Sequence, residues 1–407
     1  MKAYERLINY TKFPTASNEN CPDCPSTKSQ IVFAESLVEE MKAIGISNVT
    51  LDRNGYIFGT IPSNIEKTDA PVIGFIAHMD VVADVQYKNI KANVVKNYDG
   101  KALVLNKEQN IVMTPDEFSS MKNYIGKDLL VTDGTTLLGA DDKAGIAEIL
   151  TFAETLCNDS SIKHGTIKIG FTPDEEIGRG ADLFDVQGFG ADFAYTCDGA
   201  AFGEVEYETF NASTLKVSVK GKNIHPGSAK DKMINSILVG QEFLSLLPSM
   251  SRPDKTEGYQ GFFHVTSFNG TIEETTFSCL IRDHDLALLK LKEEYAKRVG
   301  EELNKKYGVG TVDVEIKEGY YNMKEKILPH FHLIDTAYEA VREIGGNPIS
   351  VPIRGGTDGC RLSFMGLPCP NLGTGSHNHH GKFEYACVQE MDKVVELLVK
   401  IAEKYAK

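Results

Sequence analysis

Residues 72–80 read VIGFIAHMD, and this stretch decides the fold class. Its first six residues are continuously apolar, which is typical of a strand buried on both faces by helices in a parallel sheet. Similar apolar runs at 166–171 and 193–197 also end in acidic segments, and the segment GADDKAG (139–145) opens a helix with one apolar stripe. Strands that alternate with helices predict an α/β protein with a mostly parallel, mixed sheet flanked by helices.

The pattern changes between residues 208 and 322. The strands predicted there alternate polar and apolar residues, and two helices accompany them. This pattern indicates a small α+β unit whose sheet is covered on one face only. The α/β pattern returns after this stretch, with another helix and two glycine-rich loops. The sequence therefore predicts a main domain of residues 1–207 and 323–407, interrupted by an inserted domain of residues 208–322.

The composition narrows the functional class. The chain has 407 residues, which is enough for two domains. It contains 43 Lys and Arg residues and 57 Asp and Glu residues, which gives a net charge of −14. This acidic balance argues against a nucleic-acid partner, which would need a basic face. The eight cysteines are scattered, mostly in apolar runs, and no run approaches the ~18–20 apolar residues of a membrane span. We expect a cytoplasmic protein without a disulfide framework, a secretory signal or a membrane partner.

Acidic and histidine residues recur where the predicted strands end. In an open α/β sheet these ends face the functional crevice, so the side chains should gather at one edge. The set favours zinc, with Co²⁺ or Mn²⁺ as substitutes, because its donors are imidazole and carboxylate with few thiolates. Two ions ~3.5–4 Å apart, sharing one carboxylate, would suit a metallohydrolase. The set comprises His78, Asp80, Asp141, Glu175, Glu176, Asp198 and one histidine of the segment 377–380.

Six motifs together resemble those of the family of dizinc hydrolases that includes carboxypeptidase G-like enzymes, aminoacylases and deacylases. The resemblance runs in order over essentially the whole chain. It implies a zinc-exopeptidase-like catalytic domain, an inserted ferredoxin-like lid or dimerisation domain, and the release of the N-terminal residue from tripeptides. The motifs are HMD (78–80), GADDKAG (139–145), PDEEIG (173–178), DG (198–199), HPG (225–227) and RGGTDG (354–359).

The resemblance also implies a role for each site residue. Asp80 orients a histidine ligand, and Glu175 is the general acid and base. His380 is favoured over His379 because the family's histidine precedes a glycine and lies a few residues before a glutamate, as in HGKFE (380–384). The implied zinc ligands are His78, Asp141 as the bridge, Glu176, Asp198 and His380.

Three residues are candidates for contacts with the peptide substrate. His225 follows a strand of the inserted domain and would contact the substrate carbonyl or the oxyanion, whereas in isolation it reads as a turn histidine. Arg282 and Arg354 could bind the terminal carboxylate, or each could form a structural ion pair. Cys21 and Cys24 form only half of a zinc ribbon, so a loop is the simpler interpretation.

Two other functions remain open from the sequence. A related dizinc dipeptidase or N-acyl-amino-acid deacylase would share the metal core and differ only in its pocket. A non-catalytic binding protein is disfavoured because Glu175 and Asp80 are both present, and a dehydrogenase lacks its glycine fingerprint. The sequence also leaves open whether the chain forms a homodimer.

Overall fold

The computed structural model describes residues 1–66 and 69–407, which form two compact units. Unit 1 comprises Met1–Tyr207, Glu325–Val351 and Thr357–Lys407, and unit 2 comprises Glu208–Lys324 and Pro352–Gly356. The sequence predicts that the short segment Pro352–Gly356 is part of the main domain. It belongs to unit 2 because the Ile353 amide donates to the Glu208 carbonyl at 2.9 Å and His284 Nε2 hydrogen-bonds to the Ile353 carbonyl oxygen at 3.0 Å.

The described residues form ten α-helices, five short 3₁₀ helices and seventeen strands. The α-helices are α1 (Ala3–Tyr10), α2 (Lys28–Ile44), α3 (Ala140–Asn158), α4 (Val186–Phe189), α5 (Ser236–Leu246), α6 (Leu286–Tyr307), α7 (Lys324–Ile327), α8 (His332–Glu343), α9 (Asp358–Phe364) and α10 (Val388–Tyr405). The 3₁₀ helices are Ser119–Tyr124, Glu175–Ile177, Pro226–Ser228, Pro253–Lys255 and Leu328–His330. The strands are β1 (Ser47–Leu51), β2 (Ile57–Ile61), β3 (Ile73–His78), β4 (Asn93–Val95), β5 (Leu103–Asn106), β6 (Ile111–Met113), β7 (Leu129–Val131), β8 (Ile167–Thr172), β9 (Phe193–Gly199), β10 (Val205–Glu206), β11 (Asn211–Lys220), β12 (Phe262–Gly270), β13 (Glu274–Asp283), β14 (Val312–Glu318), β15 (Asn371–Gly373), β16 (Ser376–His377) and β17 (Tyr385–Cys387).

A seven-stranded mixed sheet forms the centre of unit 1, in the order β1-β2-β8-β3-β9-β15-β10. The four central strands β8, β3, β9 and β15 are parallel, and the outer pairs are antiparallel. Every residue of β3 is buried. Phe75 packs against Phe152 of α3. The neighbouring Gly74 lies so close to Phe189, a residue of a separate apolar cluster, that a Cβ atom there would be 2.6 Å from the ring. The predicted α/β class is therefore confirmed.

Unit 2 contains a four-stranded antiparallel sheet in the order β12-β13-β11-β14. Alternate residues of β11 are buried, including Leu215, Val217 and Val219, and they share one apolar cluster with Phe243 of α5 and Leu289 of α6. The period of two in the sequence thus places the apolar face of the sheet against the helices. This is the α+β arrangement expected for the inserted part of the chain.

Helix α3 carries a buried glutamate that is not one of the predicted site residues. Glu148 is fully buried, and neither of its carboxyl oxygens has a hydrogen-bond partner among the described residues. Burial raises the pKa of Glu148 well above its usual value, and the nearby Glu390 raises it further. The proton is therefore held more tightly in the folded chain than in the unfolded chain. This tighter binding stabilises the folded chain fully when the pH is below the pKa of about 4.3 that a glutamate has in an unfolded chain. The stabilisation is lost as the pH rises through the higher pKa that Glu148 has in the folded chain.

We therefore expect Glu148→Met to raise the free energy of unfolding by about 1–3 kcal/mol near pH 8, because it removes an unpaired buried polar group. The gain should shrink near pH 5, where the wild-type carboxyl is protonated. Thermal unfolding at both pH values measures this, with exposed Glu108→Met as the control. A variant that unfolds earlier than wild type at pH 8 would contradict the assignment.

Candidate metal centre and active site

The predicted site residues of unit 1 meet beyond the carboxyl ends of the parallel strands. His78 ends β3 and pairs with Thr172 of β8, and Asp198 lies near the end of β9. Glu175 and Glu176 form the turn that follows β8, and Asp141 lies in the first turn of α3. Adjacent parallel strands end at one sheet edge, so residues distant in sequence become neighbours here.

Asp141 joins two groups of potential metal ligands. Its Oδ1 lies 3.0 Å from His78 Nε2, which is also 3.4 Å from Asp198 Oδ1. Its Oδ2 lies 3.1 Å from His380 Nε2, which is 3.0 Å from Glu176 Oε2. Each group thus offers one imidazole and two carboxylates, and its ligand atoms lie within 4.8 Å of one another. A single carboxylate shared by two such groups fits a pair of metal ions.

The three histidines of the segment 377–380 occupy different positions. His380 lies between Asp141 and Glu176 at the distances given above. His379 Nδ1 is 3.7 Å from Asp141 Oδ2, and its Nε2 is hydrogen-bonded with Ser376 Oγ at 2.8 Å. His377 is further removed, since its Nε2 is 2.5 Å from the Tyr124 hydroxyl. Of the three histidines, His380 is the one that lies within about 3 Å of two carboxylates, those of Asp141 and Glu176.

Asp80 connects the two halves of the site. It is fully buried, and its Oδ1 lies 3.5 Å from Nδ1 of His78. The same carboxylate accepts the backbone N–H groups of Glu175 at 3.0 Å and Glu176 at 3.2 Å. His78 Nδ1 also hydrogen-bonds to the Asp80 carbonyl oxygen at 3.2 Å. Asp80 therefore contacts His78 and also fixes the turn that carries two acidic side chains, a second task that the sequence did not indicate. Glu175 Oε2 lies 4.0 Å from His78 Nε2, at the edge of the cluster.

The electrostatics of the cluster fit a bound cation. Burial raises the pKa of Glu175 well above its usual value, and burial raises the pKa of Glu176 to about 8. Burial also acts to raise the pKa of Asp141, but His379, His380 and His78 hold it well below its usual range. Hydrogen bonds with Asp141 and Glu176 raise the pKa of His380 to about 11. Buried carboxylates that crowd one another are stabilised by positive charge, and divalent ions supply it.

One positioning residue was missed by the sequence reasoning. Glu384 is fully buried, and its carboxylate accepts backbone N–H groups of Leu138 and Gly139 at 2.7 Å and of Asp141 at 3.0 Å. It thereby holds the loop that presents Asp141. The only sequence signal is its place four residues after His380, which points to the histidine and gives the glutamate no role of its own.

We expect Glu384→Gln to weaken metal binding by about 10–100-fold, which is typical for loss of a residue that orients a ligand. The amide keeps the size of the side chain but places a donor against three N–H groups. Titration with a chelator, followed by metal analysis, measures the change, and Glu108→Gln is the exposed control. Unchanged metal affinity would show that the loop holds Asp141 without Glu384.

Two further acidic residues next to the ligands have structural partners. Asp142 accepts the backbone N–H of His78 at 3.1 Å and that of Gly145 at 3.2 Å. Asp174 accepts the Ser26 amide at 2.7 Å and Gln30 Nε2 at 2.7 Å. Both carboxylates thus fix the backbone next to the site.

The candidate substrate contacts lie in unit 2. His225 is exposed, and its Nδ1 accepts the Gly227 amide at 3.2 Å. Arg282 donates to the carbonyls of Ser213 and Ile281 and lies over the ring of Tyr320 at 5.4 Å. Arg354 donates to the carbonyls of residues 258 and 260 at 2.7 and 2.9 Å. Neither arginine has an acidic partner within the described residues, so a structural ion pair is not seen for either one.

An α/β sheet whose carboxyl edge carries two groups of potential metal ligands, joined by one shared aspartate, is typical of metal-dependent hydrolases. The model of peptidase family M20/M25/M40 matches residues 133–404. Over 406 residues, the chain is 54% identical to the peptidase T of Caldanaerobacter subterraneus subsp. tengcongensis, covering 100% of this chain and 99% of the relative. The chain belongs to peptidase family M20/M25/M40, and the predicted family and enzyme class are confirmed.

Two solved structures show the same fold. The aminopeptidase PepT of Bacillus cereus superposes with a TM-score of 0.76 at 24% identity, covering 99% of both chains. A tripeptidase of Staphylococcus aureus gives a TM-score of 0.78 at 21% identity, covering 100% of this chain and 98% of the other. The family and the two ligand groups together support a metal cofactor in a two-metal site. Among the described residues, no helix has the length and apolar character needed to cross a membrane.

Proposed function

We propose that this chain is a zinc-dependent aminopeptidase that releases the N-terminal residue from tripeptides. The observation that carries the proposal is the shared carboxylate of Asp141, placed between two histidines at 3.0 and 3.1 Å with Glu175 beside them. The peptidase T relative at 54% identity supports the peptidase activity. The structural neighbour described as a tripeptidase supports the substrate length.

Two groups of residues would hold the metal. His78 and Asp198 would bind one ion, His380 and Glu176 the other, and Asp141 would bridge them. These donors are imidazole nitrogens and carboxylate oxygens, which suit zinc, with Co²⁺ or Mn²⁺ as substitutes. When bound, the two ions supply a polarising centre for the peptide carbonyl and lower the pKa of water toward neutrality.

Glu175 would transfer the proton in this mechanism. Its side chain is 14% exposed, so it is open enough to meet a substrate and buried enough to be held in place. The amide of Glu175 is fixed by Asp80, which limits the positions that the carboxyl can take. Glu175 would accept a proton from the attacking water and deliver it to the amine that leaves.

Arg282, Arg354 and His225 remain the candidates for contacts with the peptide. The arginines would bind its terminal carboxylate, and His225 would stabilise the developing oxyanion. The arginines are tested by replacing each one and comparing cleavage of a tripeptide with cleavage of its C-terminal amide. Loss of the arginine that binds the carboxylate should remove the preference for the free acid. The homodimer and the cytoplasmic location also remain predictions, which sedimentation and cell fractionation test.

A panel of peptides tests the proposed function directly. The zinc-loaded protein should cleave tripeptides with a free N-terminus, and it should leave dipeptides, tetrapeptides and N-terminally blocked tripeptides intact. Removal of the metal with a chelator should abolish turnover, and added zinc should restore it. Preferred cleavage of dipeptides or of N-acetyl amino acids would instead support the related dipeptidase or deacylase.

A further inference from the structure

Helix α9 (Asp358–Phe364) contacts the part of unit 1 that carries Glu175, yet none of the site residues described above belongs to this helix. We name residues 172–182 the Glu175 segment. It runs from the last residue of β8, through the 3₁₀ turn that contains Glu175, to the residues that follow this turn. Two side chains of α9 meet the segment, and their contacts lie on either side of Glu175 in the chain.

Asp358 fixes the segment where it leaves the sheet. The residue is 5% exposed, and its Oδ2 accepts a hydrogen bond from the Thr172 hydroxyl at 2.6 Å. Thr172 lies opposite His78 in the pairing of β8 with β3, so this contact ties α9 to the end of the sheet that carries the site. The Asp358 carboxylate also lies against the backbone of Gly180, where a Cβ atom would collide with both of its oxygens. Asp358 therefore contacts the segment before and after Glu175.

Arg361 fixes the end of the turn. Its Nη1 donates to the Gly178 carbonyl at 2.6 Å, and its Nη2 forms an ion pair with Asp182. Gly178 closes the turn, because its N–H donates to the Glu175 carbonyl at 2.7 Å. The Arg361 and Asp182 side chains are 39% and 37% exposed, and ion pairs this exposed contribute little to stability. Loss of Arg361 should therefore change the position of the turn more than the free energy of unfolding.

The carboxyl group of Glu175 depends on the backbone for its position. Within residues 1–66 and 69–407 its oxygens form no hydrogen bond, and Oε2 lies 4.0 Å from His78 Nε2. Asp80 holds the amides of Glu175 and Glu176 at the start of the turn. The two side chains of α9 hold a hydroxyl and a carbonyl group instead, so they restrain atoms of the segment that Asp80 leaves free.

We infer that Asp358 and Arg361 are positioning residues for Glu175. The inference rests on the proposed function, in which Glu175 transfers the proton. A general base must lie within about 2.6–3.2 Å of the atom that gives up the proton. A displacement of about 1 Å can lower the rate by about 10²-fold. By fixing the segment before and after Glu175, the two side chains of α9 keep its carboxyl group in one position without contacting the substrate.

Turnover of trialanine by metal-loaded variants tests the inference. Asp358→Asn and Arg361→Ala should each lower kcat by about 10-fold or more, while KM and the metal content stay within about twofold of wild type. Arg361→Lys, which keeps a cationic donor, should recover most of the loss. Asp116→Asn and Arg342→Ala are the matched controls at exposed positions, and they should leave kcat, KM and metal content unchanged.

Two further measurements separate positioning from a general structural role. On the Glu175→Ala background, Asp358→Asn and Arg361→Ala should lower the residual turnover by less than about twofold, because the group that they position is absent. Hydrogen exchange of the Glu175 segment should be faster in Arg361→Ala than in wild type, with little change in thermal unfolding. Since Arg361 is partly exposed, its variants decide the question even if Asp358→Asn does not fold.

The proposed function and the inference fail in different ways. Wild-type protein that does not cleave trialanine would refute the function. The kcat comparison would then use the dipeptide or N-acetyl amino acid that is cleaved, and hydrogen exchange would test the restraint without any substrate. The inference is overturned if Arg361→Ala keeps the wild-type kcat, if its hydrogen exchange is unchanged, or if the variants lower turnover equally with and without Glu175.

Discussion

Replacing Glu175 with alanine should lower kcat by at least 10²–10⁴-fold, the range typical of general acid–base catalysis. The reason is that Glu175 lies beside the two ligand groups without belonging to either of them, and its side chain is partly open. Glu175 lies 4.0 Å from His78 Nε2 and is 14% exposed, whereas Asp141 and Glu176 each contact a histidine at about 3 Å. Turnover of a tripeptide by the metal-loaded variant measures the loss.

The metal content of this variant separates a catalytic role from a ligand role. If Glu175 only transfers protons, the variant should retain two metal ions per chain, as measured by elemental analysis. Glu108→Ala serves as a matched control, since that glutamate is exposed. Undiminished turnover would refute the role of Glu175, and loss of metal would show that it is a ligand instead.

Replacing Asp141 with asparagine should abolish the two-metal site. The carboxylate places one oxygen toward each histidine, at 3.0 and 3.1 Å, and an amide cannot offer two anionic oxygens. We expect the metal content to fall from two ions per chain to one or fewer. Turnover should fall by at least about 10³-fold, because polarisation by metal ions contributes several kcal/mol to transition-state stabilisation.

The contrast with Glu175→Ala makes this prediction specific. Both variants should lose activity, but only Asp141→Asn should lose metal. Asp116→Asn, which changes the same chemical group at an exposed position, should alter neither quantity. An Asp141→Asn protein that keeps two tightly bound ions would show that Asp141 does not bridge them.

The sequence predicted most of the parts of the site. His78, Asp141, Glu175, Glu176 and Asp198 each follow an apolar run or open a helix, and these local patterns are visible without the fold. The choice of His380 also came from its immediate neighbours in the sequence. The structure brings these residues together at one sheet edge, as the carboxyl ends of parallel strands require.

The backbone contacts that position the ligands could not be found in this way. Glu384 accepts hydrogen bonds from backbone groups 243 to 246 residues earlier in the chain. Asp80 holds amides 95 and 96 residues later. A contact between a carboxylate and backbone N–H groups requires no particular partner side chain, so no motif marks such a contact.

The sequence by itself determined the α/β class and the family and predicted a set of metal-binding side chains, because hydrophobic periodicity and short motifs are local properties of the chain. The tertiary structure alone decided that Pro352–Gly356 belongs to unit 2 and that Glu384 holds the Asp141 loop. It also placed Thr172 and Gly178 against helix α9. These features depend on contacts between segments that are far apart in the chain, and such contacts form only when the folded backbone brings the segments together.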